Sequence, residues 1–244
     1  MDEAVYAGMA AVQDSHWWYR GRRAVLEAVI ARLDLPAGAR ILEAGCGPGG
    51  NLAMLARFGE VSAFEPHAPS RALSAARGCA EVRAGALPHD IPFPGRFDLV
   101  CAFDVIEHVA DDVATLVALG NRLAEGGRLL VTVPAGPWMW SAHDERHHHY
   151  RRYTRRSLAA ALRAAGFDKL RLSGLNSHLF PLIAAVRGFQ KLTGIDARAE
   201  ETMPGPAANR LLERIFRAEA PIVARIGYPF GVSLLAVAAR GGAT

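Results

Sequence analysis

The 244-residue sequence has only three cysteines, Cys46, Cys79 and Cys101, an odd and widely spaced set. Neither a disulfide framework nor a zinc spacing can be built from them, and Cys101 lies inside an apolar run, so they read as reduced thiols of a cytoplasmic protein. No apolar run approaches the roughly 18 residues that span a bilayer. The opening Met1-Asp2-Glu3-Ala4-Val5-Tyr6 lacks the basic-then-apolar pattern of a secretion signal. Neither charge sign dominates: 28 Lys and Arg stand against 24 Asp and Glu, a formal net charge of +4. That surplus is compatible with an anionic small substrate, a membrane surface or a nucleic acid, and selects none of them. The sequence also shows no internal repeat and no low-complexity tract, which argues against solenoids and arrays.

What is present is a packed composition, 51% hydrophobic and 21% charged, long enough for one sizeable α/β unit with insertions. From Arg40 to Ala135, short apolar runs alternate with helical stretches. Arg40–Glu43, Val61–Phe64, Phe97–Phe103 and Arg128–Val133 are apolar enough to be covered on both faces, and Glu81-Val82-Arg83 predicts a weaker outer strand. Helices are expected near Asn51, Pro69 and Asp111. Gly136 to Tyr153 is aromatic, basic and His-rich without a clean period, and predicts a long loop. Thr154 then caps a helix ending at Gly166. Lys169–Leu172 and Val232–Val237 predict the last two strands. Two helices are expected between them, His178 to Leu192 and Ala207 to Arg225, joined by a linker from Gly194 to Pro206.

The chemistry begins at the strand ending in Glu43. Gly45, Gly47, Gly49 and Gly50 follow it, and such a loop lets the backbone approach a ligand where any side chain would collide. Gly45, Gly47 and Gly50 also satisfy the dinucleotide fingerprint, with Glu65 ending the next strand where a ribose hydroxyl pair could be held. Glu43 separates the two readings. Its carboxylate suits the ammonium of an amino-acid-bearing cofactor and would repel a pyrophosphate, which favours S-adenosylmethionine.

The segment Leu42-Glu43-Ala44-Gly45-Cys46-Gly47-Pro48-Gly49 resembles the first motif of the class I S-adenosylmethionine-dependent methyltransferases, and Phe64-Glu65-Pro66 their second. Ala84-Gly85-Ala86-Leu87-Pro88, Phe97-Asp98-Leu99-Val100 and Asp104-Val105-Ile106-Glu107-His108 are similar to the small-molecule subgroup that includes the ubiquinone-type O-methyltransferases. The resemblance implies a Rossmann-like, mostly parallel seven-stranded sheet with its last strand antiparallel. It suggests a helical N-terminal lid at 1–37, and with the residue pattern this gives a single domain with its core at 38–175 and 227–241 and a helical insertion at 176–226. It also implies that Glu65 binds the ribose, that Asp104 lies near the methionine part, and that Gly85 to Leu87 border the adenine. Many relatives carry Asp where this chain has Ala86. The expected cofactor shell is Glu43, Gly45, Cys46, Gly47, Gly49, Asn51, Glu65, Pro66, Gly85, Ala86, Leu87, Asp104, Val105 and His108, with S-adenosylhomocysteine as the product.

Transfer to a hydroxyl or amine needs a general base, and His is the residue type suited to neutral pH. The loop after the fifth strand supplies His143 and His149, with Asp144 to orient an imidazole. Arg151, Arg152 and Tyr153 are expected to recognise an anionic acceptor, with Trp18, Tyr19, Trp138 and Trp140 lining its site. The plainer alternatives are a solvated loop, an Asp144–Arg152 ion pair that pins it, and Trp17 and Trp18 that merely pack their helix. The spacing of His143, Asp144, His147 and His149 is compatible with metal ligation, but no ordered scaffold is evident and no metal is expected. The acceptor is read as a small or lipid-linked molecule. No nucleic acid is expected as a partner; peripheral membrane contact is compatible, as are a monomer and a homodimer. A nicotinamide-dependent oxidoreductase, an RNA-directed protein and a non-catalytic adenosylmethionine-binding scaffold stand as the alternatives.

Overall fold

The computed structural model describes residues 3–193 and 203–241. Its centre is a seven-stranded sheet in the order β3-β2-β1-β4-β5-β7-β6. The strands are β1 (Ala39–Ala44), β2 (Gly59–Phe64), β3 (Glu81–Arg83), β4 (Phe97–Phe103), β5 (Leu123–Pro134), β6 (Lys169–Leu175) and β7 (Ser233–Ala239). β1 to β5 pair in parallel, and β7 runs antiparallel to both β5 and β6. The strand order reverses between β1 and β4, so the carboxyl ends of those strands open the crevice where such sheets bind ligands.

The strands are apolar on both faces because both are covered. Leu42, Ala44, Val100, Ala102, Leu129 and Val131 face one core, shared with Leu116 and Leu119 of α5 (Asp112–Gly120) and Leu158 and Leu162 of α7 (Arg155–Ala164). Their sequence neighbours Ile41, Leu99, Cys101 and Leu130 face the other, shared with Val25, Leu26 and Val29 of α2 (Trp17–Ile30). α7 begins where Thr154 was expected to cap it: the Thr154 hydroxyl accepts the Ser157 N–H at 3.0 Å.

The strand and helix expectations in the core agree with the structure to within a few residues, with α3 (Leu52–Leu55) and α4 (Ala68–Ala76) at the Asn51 and Pro69 positions. Two readings are corrected. The helix expected from Ala207 to Arg225 is two, α9 (Pro206–Arg217) and α10 (Ala220–Arg225). Pro221, lacking an N–H, cannot continue the α9 ladder and sits instead in the first turn of α10. The loop expected from Gly136 to Tyr153 is structured, with a 3-10 turn at Pro137–Met139 and the short helix α6 (Ala142–Arg146). The first insertion helix, α8, runs Phe180–Thr193. Most of the linker expected at 194–206 lies outside the described residues. No helix among the described residues is long and apolar enough to cross a membrane.

Candidate active site

β1 delivers Glu43 into the crevice. The carboxyl is almost fully buried, 2% exposed; one oxygen accepts the Asn51 amide N–H at 2.8 Å, and Oε2 has no hydrogen-bond partner. Burial pushes its pKa up to about 7, against the pull of the Asn51 hydrogen bond and the Arg22 charge. Gly45 follows at φ +63°, and a Cβ there would lie 2.9 Å from a Val105 methyl, so only glycine lets the loop pass under the β4 turn. The loop is tied to β2. Gly45 and Cys46 donate backbone N–H groups to Phe64, and the Gly47 and His67 N–H groups donate to the two Glu65 oxygens, both at 2.9 Å. A carboxylate oxygen has two lone pairs, so Glu65 keeps acceptor capacity for a hydroxyl pair. Burial pushes the Cys46 thiol up to about 12, so it is an inert wall of the loop.

At the end of β4, Asp104 takes a left-handed φ of +54°. It accepts the Thr132 hydroxyl at 3.2 Å and forms an ion pair with Arg22 of α2. α1 (Glu3–Val12) packs over the same end. Tyr6 stacks on His67 at 3.8 Å, Glu3 pairs with His67 at 2.9 Å, and Gln13 donates to the Pro48 carbonyl at 3.3 Å. α1 therefore lies across the glycine loop and the end of β2.

The third wall is the loop after β5. Asp144 is fully buried, accepting from the Ser141 N–H at 2.9 Å, His149 Nδ1 at 2.8 Å and Arg152 Nε at 2.7 Å. Burial alone would raise its pKa, but the His149 hydrogen bond and the Arg152 charge outweigh it and hold the carboxyl well below its usual range. His149 packs edge-on against His108 at 4.6 Å, and His143 stacks on His147 at 4.0 Å. Burial drives both His108 and His143 down to about 3. The Tyr150 N–H donates to the Glu107 carbonyl at 2.8 Å, locking the loop to the turn after β4.

A methyltransferase domain family model matches residues 17–172, which take in the glycine loop, Glu65, Asp104 and this histidine loop. The chain belongs to that family. Its curated relatives include the ubiquinone biosynthesis O-methyltransferase of Xanthomonas euvesicatoria, 32% identical in an alignment 171 residues long that covers 62% of this chain and 71% of the relative. Among solved structures, a SAM-dependent methyltransferase of Thermotoga maritima shares the fold at a TM-score of 0.59 and 18% identity, over 92% of this chain and 93% of that one. The geranyl diphosphate C-methyltransferase of Streptomyces coelicolor, solved with S-adenosyl-L-homocysteine, does so at 0.58 and 16%, over 87% and 77%. The protein is a S-adenosylmethionine-dependent methyltransferase, and its residues fit that cofactor: beside the glycine loop, Glu43 keeps a buried carboxylate oxygen without a protein partner.

The remaining expected residues of the methyltransferase fall into two groups. Those at the cofactor end converge on one rim. Asn51 holds Glu43, Pro66 carries a carbonyl bonded by Arg71, and Val105 packs on Gly45. Gly85 meets Pro92, while the Ala86 N–H and C=O are both paired with Asp90 at 2.8 Å, with Leu87 against the core. The second group turns to protein partners. Trp17 and Trp18 pack on Phe216 of α9 at 6.3 and 5.4 Å, and Tyr19 sits beneath the Arg22 guanidinium. Arg152 bonds Asp144 and the Ala135 carbonyl, Arg151 pairs with Asp112, and the buried Tyr153 hydroxyl donates to Asp112 at 2.7 Å. Trp138 is exposed beside Phe180, and Trp140 is half-buried.

Arg22, Tyr6, Gln13 and Glu107 were missed in the sequence. For Arg22 a signal existed: it precedes Val25, Leu26 and Val29 by three, four and seven positions, which places a charged residue on the buried face of α2.

Proposed function

We propose that the methyltransferase acts on a hydroxyl or amine of a small-molecule or lipid-linked acceptor, held between the Asp104–His108 turn and the loop after β5. When bound, S-adenosylmethionine supplies an electrophilic methyl group for in-line displacement, so the protein's task is alignment and exclusion of water. Glu43 and Asp104 offer carboxylates to the cofactor's ammonium, and Arg22, beside both, offers a guanidinium to its carboxylate. Glu65 offers acceptors to the ribose hydroxyls. The lid helix α1 shields this end from solvent.

Proton removal from the acceptor falls to the histidine cluster around His149. The observation that carries this is the Asp144–His149 contact at 2.8 Å, which fixes the imidazole and directs its other nitrogen away from Asp144. Arg151, Arg152 and Tyr153 act here by holding the loop rather than by meeting the acceptor. The exposed Leu182, Val186 and Phe189 of α8, with Trp138 nearby on the loop side, support an apolar or lipid-linked acceptor. The ubiquinone O-methyltransferase relatives support a hydroxyl as the methylated group.

The test is a labelled-methyl screen against extract and candidate phenols, repeated with His149→Ala and His143→Ala. Turnover on the acceptor found is expected to fall on the order of 100-fold or more in His149→Ala, the range of a lost acid–base group. Full turnover in both variants overturns the assignment of proton removal to this loop.

A further inference from the structure

We propose that Glu107, His108 and His149 form a binding site for one divalent transition-metal ion. The inference rests on the acceptor lying at this rim and deepens the role of His149 there: with the ion bound, its imidazole promotes proton loss through the metal rather than by taking the proton itself.

The donor atoms of these three side chains all lie within 4.8 Å of one another, close enough to share one ion. Glu107 is the second, independent indication. It is fully buried, and neither carboxylate oxygen has a hydrogen-bond partner. A carboxyl in that state loses its water without compensation, and simple protonation would leave a donor and an acceptor equally unmet. The guanidinium groups nearest in charge, Arg22 and Arg152, are engaged with Asp104 and Asp144. A cation held against Glu107 resolves the deficit.

The surroundings of His149 suit a ligand. Its Nδ1 faces Asp144, which is itself fixed by Arg152 and the Ser141 N–H, leaving Nε2 for an ion. This is the carboxylate–histidine arrangement that orients metal-binding imidazoles. Two imidazoles and one carboxylate suit zinc, manganese or ferrous iron and leave coordination positions open. An ion so placed lowers the pKa of a hydroxyl or water bound to it, the proton leaving to solvent. The sequence spacing is compatible with ligation by His143, Asp144, His147 and His149, with no metal expected; in the structure Asp144 orients His149, and Glu107 and His108 come from the other side of the crevice.

The full-length protein, stripped with chelator and dialysed, is titrated with Co2+ and Zn2+. One equivalent of Co2+ is expected to give visible d–d absorption that Zn2+ abolishes, and Glu107→Gln and His149→Ala are each expected to weaken affinity by at least about 10-fold. His89→Ala, an exposed histidine elsewhere, leaves it unchanged. S-adenosylhomocysteine affinity measured on the same samples reports an intact fold and tests the cofactor reading separately. Wild type without the Co2+ spectrum, or cofactor-binding variants that still hold one equivalent as tightly, overturns the site.

Discussion

The guanidinium of Arg22 in α2 forms an ion pair with the carboxylate of Asp104, the left-handed residue that ends β4. Arg22 is buried and Glu43 lies within its field, so α2, the first strand and the fourth meet through one cation. Removing one partner of a buried pair leaves an uncompensated charge. Arg22→Met is expected to lower S-adenosylhomocysteine affinity at least about 10-fold and to destabilise the fold by roughly 3 kcal/mol. Calorimetric titration and a thermal melt read the two effects; unchanged affinity would remove Arg22 from the cofactor site.

Glu43 makes cofactor binding sensitive to pH. With its pKa near 7 in the free protein, the carboxyl is protonated below that pH and must lose a proton to meet an ammonium. S-adenosylhomocysteine affinity is therefore expected to fall by up to about 10-fold for each pH unit below 7. In Glu43→Gln it should be weak and flat between pH 5 and 7. Titrations at three pH values decide it.

The same groups give stability two opposing slopes. His108 and His143 have pKa values lowered from 6.5 to about 3, so between those values the unfolded chain binds protons that the folded one refuses. Their contribution is complete above 6.5 and is lost on acidification, by about 2 kcal/mol each at pH 5. Glu43, raised from 4.5 to about 7, works the other way and returns roughly 2 kcal/mol over that span. Burial raises Glu107 and Glu219 as well, which adds to the offset. Between pH 7.5 and pH 5, Glu43→Gln is expected to lose more of its melting temperature than wild type does. An equal or smaller drop in Glu43→Gln contradicts this balance.

Gly45→Ala places a methyl 2.9 Å from Val105 at φ +63°. The left-handed backbone alone costs a non-glycine residue about 1–2 kcal/mol, and relief of the clash moves the loop. Cofactor affinity is expected to fall more than the melting temperature, as titration and melt of one sample will show.

Phe216 of α9 takes the rings of Trp17 and Trp18 and is fully buried. Phe216→Ala is expected to cost about 3–5 kcal/mol through the cavity it leaves. Hydrogen exchange in α2 should quicken, because α9 is its main cover on that side. Unaltered protection in α2 would show that α9 does not hold that helix in place.

The cofactor end was legible in the sequence because its signals are local. A strand, a glycine turn and an acidic residue on the next strand are short-range patterns, and parallel strands covered on both faces are apolar throughout. Glu43, Gly45 and Glu65 follow from such patterns, and Asp104 from the resemblance of its motif to the family. Arg22 and Glu107 do not: one lies 82 positions from its partner Asp104, the other faces His149 from the far side of the crevice. Pro221 shows the same limit on a smaller scale. Helical periodicity continues through it, and the backbone does not.

By itself, then, the sequence determined the fold class, the family and the cofactor, since hydrophobic period, glycine placement and charge type act within a few residues of one another. Only the tertiary structure decided the duties of the charged and aromatic side chains. It turned Arg151, Arg152 and Tyr153 inward, set Trp17 and Trp18 against Phe216, and gathered Glu107, His108 and His149. Whether an arginine meets a substrate or a buried aspartate depends on which distant strand end lies beside it, and that is set by the packing of the whole chain.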